Sequence, residues 1–94
     1  MSVVIGADVG GSKTVVEAEV DGGVHARVEA PGAALRPDMV LRSATTIADA
    51  VRRSLAEVGR VSADVIVVGA AGAGRPEQAK ELARALRAEE LSET

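Results

Sequence analysis

The stretch Ala7-Asp8-Val9-Gly10-Gly11-Ser12-Lys13-Thr14 joins two runs that are typical of β-strands. The run before it, Val3 to Val9, is nearly continuous in apolar and β-branched residues. The run after it, Thr14 to Val20, alternates apolar side chains with glutamates. Adjacent glycines favour a tight reversal between such runs. The sequence therefore predicts a β-hairpin with a buried, central first strand and a half-exposed second strand.

The glycine turn is also a candidate phosphate site. Glycines let backbone N–H groups approach an anion closely, and hydroxyl and ammonium groups beside them add donors of the right sign. The residues that would contact phosphate are Gly10, Gly11, Ser12, Lys13 and Thr14. Asp8, at the strand end, is placed to hold a hydrated Mg²⁺, which prefers oxygen ligands and keeps most of its waters. A purely structural Gly-Gly hairpin is the alternative, and the residues alone leave both open.

Two better-known phosphate motifs do not fit this stretch. A P-loop places its lysine and the following Ser or Thr at the start of a helix, after a longer glycine loop. A dinucleotide-binding fingerprint also requires a helix after its glycines. Here Lys13-Thr14 leads into Val15-Val16 and a strand, so both motifs are rejected.

Composition narrows the class of protein. The 94 residues suffice for one small domain, and its core must be built from aliphatic side chains because Phe, Tyr and Trp are absent. A net charge of −3 and the lack of stacking aromatics argue against nucleic acid as a partner. Without cysteine and with a single histidine, His25, any metal should be a hard, oxygen-bound ion. No run reaches the ~18 apolar residues of a membrane span, and we expect a cytoplasmic protein.

The remaining elements follow from turn signals and periodicity. Asp21-Gly22-Gly23 predicts a second hairpin leading to an alternating strand, Val24 to Ala30, with His25 on its polar face. A Pro- and Gly-containing loop, Pro31 to Pro37, then crosses to a helix that begins after a predicted N-cap at Asp38 and stops at Gly59. Its predicted apolar stripe consists of Val40, Leu41, Ala44, Ile47, Ala48, Val51, Leu55 and Val58.

The last third of the chain predicts one more strand and one more helix. Asp64 to Val68 is apolar and, because a helix separates it from the hairpins, should join the sheet as a parallel neighbour. The small residues Gly69 to Gly74 then lead into a helix that starts at Arg75-Pro76, where proline is tolerated. We therefore expect an α/β fold with a mixed sheet in β-β-β-α-β-α order, with helices packed on it.

This order, with an aspartate-glycine turn in the first hairpin, resembles the first half of an actin-like ATPase domain of the sugar kinase, Hsp70 and actin superfamily, a ribonuclease H-like fold. Three segments make the resemblance more specific, namely residues 7–14, 32–37 and 67–75. Together they resemble the BadF/BadG/BcrA/BcrD ATPase family, which includes N-acetylglucosamine kinases. The resemblance implies that residues 1–94 form the N-terminal subdomain, with the phosphate-1 loop at 8–14.

The resemblance also implies roles for individual residues. Asp8 would bind Mg²⁺ through water, the residues from Gly10 to Thr14 would contact the phosphates of ATP, and a weaker substrate cleft would be lined by Gly72, Gly74 and Arg75. Ala34 stands where relatives often have an asparagine that meets the sugar, so sugar specificity does not carry over. Relatives continue with a fifth strand that bears a catalytic aspartate, and no catalytic residue is assigned here. We expect no independent turnover.

Two other interpretations stay open. The family also includes ATPase activators of CoA-ester reductase and dehydratase systems, although these typically carry cysteines for an iron-sulfur cluster. The third interpretation is a non-catalytic, self-associating α/β module. The apolar strand Asp64 to Val68 would be an edge strand without a fifth neighbour, so a homodimer or a companion fragment is expected to cover it.

Overall fold

The computed structural model describes residues 2–33, 39–70 and 76–91. It contains four strands and two helices within these ranges: β1 (Val3–Val9), β2 (Lys13–Val20), β3 (Gly23–Pro31), α1 (Val40–Glu57), β4 (Val65–Ala70) and α2 (Pro76–Arg87). The predicted α/β fold with a mixed four-stranded sheet and two helices is confirmed. The predicted packing of helices on the sheet is found for α1 only, since α2 lies beside α1.

The first three strands form two consecutive hairpins. β1 pairs antiparallel with β2 from Val3 opposite Val20 to Val9 opposite Thr14, and β2 pairs antiparallel with β3. The β2–β3 turn places Asp21 and Gly22 at φ values of 49° and 89°. Only glycine and a few polar residues adopt this left-handed backbone readily, which explains why an Asp-Gly pair reverses the chain here.

β4 completes the sheet on the other side of β1. It runs parallel to β1, with Val4 opposite Val65 and Val9 opposite Ala70, so the strand order is β3-β2-β1-β4. Asp64 fixes the start of this pairing, because its carboxylate Oδ2 accepts the Val3 N–H at 2.7 Å and its own N–H donates to the Val3 carbonyl at 2.9 Å. The carboxyl ends of β1 and β4 consequently lie side by side.

Helix α1 packs across β1, β2 and β3 through the apolar stripe that its periodicity predicts. Val40, Ala44, Ile47, Ala48, Val51 and Leu55 are buried as expected. Leu41 is 71% exposed, so its assignment to the stripe is wrong. It lies in the first turn of the helix and at the edge of the buried arc, about 20° round the helix from the fully buried Ala48. The helix ends before Gly59, whose φ of 74° suits glycine.

The start of α1 differs from the prediction. Met39 occupies the N-cap position and offers no side-chain hydrogen bond to the first turn. The predicted cap, Asp38, lies outside the described residues. The helix instead depends on its packed face, since tertiary contacts supply most helix stability in proteins.

Helix α2 packs beside α1, where Leu82 is buried and the Arg52 guanidinium lies 3.0 Å from the Glu89 carboxylate. The Ala63 N–H donates to the Leu91 carbonyl at 2.8 Å, which ties the end of the described chain to the segment before β4. None of the described helices is both long enough and apolar enough to cross a bilayer.

The sheet therefore has one covered face and one open face. Alternate residues of β1 are buried under α1. Of the residues between them, Val4 is half-buried, and Gly6 and Asp8 are exposed. β1 is central, as predicted, but the expectation that it is buried throughout is wrong. Within the described ranges no element covers the second face. Only alternate residues of the apolar run of β1 are therefore buried.

Candidate functional site

The glycine turn between β1 and β2 is closed by its own backbone. The Gly10 N–H donates to the Lys13 carbonyl at 2.9 Å, and a Cβ added at Gly10 would lie 3.1 Å from that oxygen, so a side chain there would crowd the turn. Gly11 and Ser12 form the exposed tip, and a Cβ at Gly11 would meet nothing within 4 Å. The tip thus presents backbone groups to solvent with little side-chain cover.

A second glycine segment, Gly32-Ala33, supports the turn from behind. The Ala33 N–H donates to the Gly10 carbonyl at 3.1 Å. A Cβ on Gly32 would collide with the Gly11 carbonyl and lie 2.9 Å from the Ser12 nitrogen. Only glycine fits there, because the obstructing atoms are backbone. The sequence indicated a loop at this point, but nothing local in it revealed that the loop packs on the turn.

Asp8 is exposed on the open face, near the carboxyl end of β1. Its neighbours in register are Val15 on β2 and Gly69 on β4. Gly69 and the nearby Gly6 have no side chain, and a Cβ at either would meet nothing within 4 Å. The space beside the carboxylate therefore suits a hydrated cation, which needs room for its waters. No cluster of three or more metal-ligating side chains occurs in the described part of the chain.

Lys13 begins β2 and is among the residues that line the open face with Asp8. Its ammonium lies 3.5 Å from the Glu29 carboxylate, which also lies 3.4 Å from the Arg27 guanidinium. The Lys13 and Glu29 side chains are more than half exposed, and ion pairs in such surroundings are weak. The ammonium can thus exchange Glu29 for a phosphate at little cost.

Thr14 belongs to the opposite face. Its side chain is fully buried, and its hydroxyl donates to the Pro31 carbonyl at 2.9 Å. This bond joins β2 to the end of β3, immediately before Gly32. The structure separates the Thr14 hydroxyl from Asp8 and Lys13, contrary to the predicted phosphate contact, and gives it a supporting role under the turn. The period of two in a strand is the signal that could have shown this.

The described part of the site thus contains Asp8, the turn Gly10 to Ser12, and Lys13, with Thr14 and Gly32 supporting it. The predicted cleft residues Gly72, Gly74 and Arg75 lie outside the described residues, as does Ala34. The sequence did not indicate Gly69 as a neighbour of Asp8, because the parallel pairing of β4 with β1 brings it there from 61 positions away along the chain. Gly6 lies two residues before Asp8 on the same face of β1.

Comparison with known proteins finds a similar fold among the solved structures. No protein-family model matches the chain, and no curated protein sequence matches it. Among solved structures it is similar to a "Putative N-acetylglucosamine Kinase from Chromobacterium violaceum", with a TM-score of 0.74 and 21% sequence identity. The likeness covers 89% of this chain and 31% of that one, so the chain spans about a third of the Chromobacterium protein.

Proposed function

We propose that this chain is the Mg²⁺-ATP-binding N-terminal segment of a sugar kinase of the N-acetylglucosamine kinase type, within the BadF/BadG/BcrA/BcrD ATPase family and its ribonuclease H-like fold. The observation that carries the proposal is the exposed glycine turn beside an exposed aspartate, in a chain whose fold matches part of the Chromobacterium violaceum protein. The parent activity would be transfer of the γ-phosphoryl group of ATP to a sugar hydroxyl.

The proposed roles follow from charge and access. The backbone of Gly11 and Ser12, the Ser12 hydroxyl and the Lys13 ammonium would receive phosphate oxygens at the tip of the turn. Asp8 alone would repel a triphosphate. Asp8 would hold a hydrated Mg²⁺, whose charge would offset that repulsion, and the open space at Gly69 would leave room for the waters. The Gly32 segment holds the turn in place for this contact.

Binding is proposed for this segment, but not turnover. Phosphoryl transfer requires neutralisation of the transferring group from several sides and a positioned nucleophile. Asp8, the turn and Lys13 would approach the transferring phosphoryl group from one side only. We assign no general base among the described residues. The segment should therefore bind nucleotide weakly and leave it intact.

Titration of the ¹⁵N-labelled 94-residue chain with Mg²⁺-ATP tests the proposal. We expect the amide signals of Gly10, Gly11 and Ser12 to move most. Asp8→Asn should weaken the Mg²⁺-dependent affinity by at least about tenfold, or about 1.4 kcal/mol. The matched control is Asp49→Asn, the same chemical change at an exposed carboxylate on α1.

Two outcomes would overturn the proposal. One is that millimolar Mg²⁺-ATP leaves the turn amides unmoved while the chain is folded. The other is that Asp8→Asn and Asp49→Asn bind nucleotide equally well. Either result would favour the non-catalytic α/β module.

A further inference from the structure

A small cavity lies behind the glycine turn, on the side of α1. It has a volume of about 220 Å³. Its described walls are Gly11 of the turn, the Gly32-Ala33 segment, Met39, and Arg42, Ser43 and Thr46 of α1. Asp8 and Lys13 line a different space, on the open face of the sheet. The cavity is therefore separate from the candidate cation and phosphate contacts.

Arg42 is the one ionisable side chain among these described walls, since the others are glycine, alanine, methionine, serine and threonine. The Arg42 side chain is exposed and makes no ion pair with a described carboxylate, whereas the Arg52 guanidinium lies 3.0 Å from Glu89. A guanidinium has five N–H donors and stays protonated. The cavity thus presents a positive charge that no described acidic group offsets by direct contact.

Thr46 adds a hydroxyl to the same cavity. It is half-buried, and its hydroxyl makes no hydrogen bond to a described residue. The adjacent Thr45 differs, because its hydroxyl donates to the Leu41 carbonyl of the preceding turn at 3.1 Å. Thr46 lies four residues after Arg42, and residues at this spacing are neighbours on a helix surface. Both side chains can therefore donate to one ligand in the cavity.

A second groove along α1 shows why charge distinguishes the cavity. The groove is lined by Ala30, Pro31, Thr46, Asp49, Arg52 and Arg53. There the Asp49 carboxylate lies 3.6 Å from the Arg52 guanidinium, so the groove already contains an anionic group. The described walls of the cavity contain none. An external anion should therefore prefer the cavity at Arg42.

We propose that the cavity between the glycine turn and α1 is an anion-binding site, which takes a phosphate or carboxylate group of a small molecule. Arg42 supplies the charge, because guanidinium groups form short, strong hydrogen bonds to both kinds of anion. The Thr46 hydroxyl supplies a further donor. A water molecule occupies about 30 Å³ in the liquid, so about 220 Å³ holds such a group with several waters. The site does not depend on nucleotide binding at the turn.

Titration of the ¹⁵N-labelled 94-residue chain with inorganic phosphate at constant ionic strength tests the site. We expect the amide signals of Gly11, Arg42 and Thr46 to move with one common dissociation constant. Arg42→Gln should raise that constant at least about threefold. The matched control is Arg53→Gln, the same change at an exposed arginine about 16 Å further along the same helix, and it should leave the constant unchanged.

Two threonine variants form a second matched pair. Thr46→Val should raise the phosphate dissociation constant about twofold, since it removes a donor without changing the shape of the side chain. Thr45→Val should leave the constant unchanged, because its hydroxyl bonds to its own helix. A parallel titration with acetate distinguishes the two sources of the anion. Tighter binding of phosphate indicates a phosphorylated ligand, and tighter binding of acetate indicates a carboxylic acid.

A phosphate titration in the presence of Mg²⁺-ATP separates this site from the one proposed for nucleotide. Phosphate should still move the Arg42 and Thr46 amides when nucleotide is present. Displacement of phosphate by Mg²⁺-ATP would overturn the proposal of a separate site. So would amides that neither phosphate nor acetate moves in the folded chain, or equal effects of Arg42→Gln and Arg53→Gln.

Discussion

The two faces of the sheet are built from the same strands but differ in burial. On the covered face, Val3, Ile5 and Val16 are fully buried under α1. On the open face, the residues between them include Gly6, Asp8 and Val15, which keep partial or full contact with solvent. Stability is concentrated on one face and the candidate site on the other. Neighbouring residues of one strand are therefore under unrelated physical constraints.

This division separates the effects of substitution. A change on the covered face removes contacts within a close-packed interior, and the loss appears in the free energy of unfolding. A change on the open face removes few such contacts, so it should alter ligand binding with little loss of stability.

The largest expected effect comes from two adjacent valines of β2. Val16→Ala should lower the free energy of unfolding by about 2 to 3 kcal/mol, since it deletes buried methyl groups and leaves a cavity. Val15→Ala, on the open face, should cost less than about 1 kcal/mol. Urea unfolding of both variants measures the difference. Equal losses would show that the second face is also covered in solution.

The next effect concerns the glycines of the turn. Gly32→Ala should lower the free energy of unfolding by about 1 to 3 kcal/mol, because its Cβ would overlap the backbone of Gly11. Gly11→Ala is the control, with open space around the added carbon. Thermal unfolding followed by circular dichroism compares the two variants. A Gly32→Ala protein as stable as Gly11→Ala would mean that the Gly32 segment does not pack on the turn.

The smallest effect distinguishes Thr14 from its neighbour Lys13. Thr14→Val should cost about 1 kcal/mol of stability, since it removes the hydroxyl that donates to the Pro31 carbonyl. Lys13→Met should change stability by less than about 0.5 kcal/mol, because its ion pair with Glu29 is exposed. The nucleotide titration should show the reverse order, with Lys13→Met the more damaging. If Thr14→Val is folded and is the only one of the two variants that loses nucleotide affinity, Thr14 belongs to the phosphate site after all.

Local patterns predicted most of the elements for identifiable reasons. β1 and β2 were predicted because β-branched and alternating residues flank an adjacent glycine pair, and α1 because apolar residues recur at helical spacing before Gly59. The predictions of burial are wrong where burial depends on a neighbouring element. Leu41 is apolar but lies in the first turn of the helix, at the edge of the arc that meets the sheet. The burial of β1 was overestimated because its apolar run does not reveal that one face lacks a cover.

The candidate site, too, could be predicted only in part from the sequence. Asp8, the turn glycines and Lys13 could be named from the sequence, because their chemistry and spacing are local. The support from Gly32 and the open space at Gly69 depend on the pairing of residues far apart in the chain. The position of Thr14 on the covered face depends on which side of the sheet α1 occupies.

Backbone preferences and hydrophobic periodicity within a few residues specify the strands, the helices and the turn that joins β1 to β2. Which face of the sheet is packed and what surrounds Asp8 follow only from the folded chain. Those features depend on the parallel pairing of β4 with β1 and on the side from which α1 packs. Both are set by burial of apolar surface between distant segments, which no short window of sequence encodes.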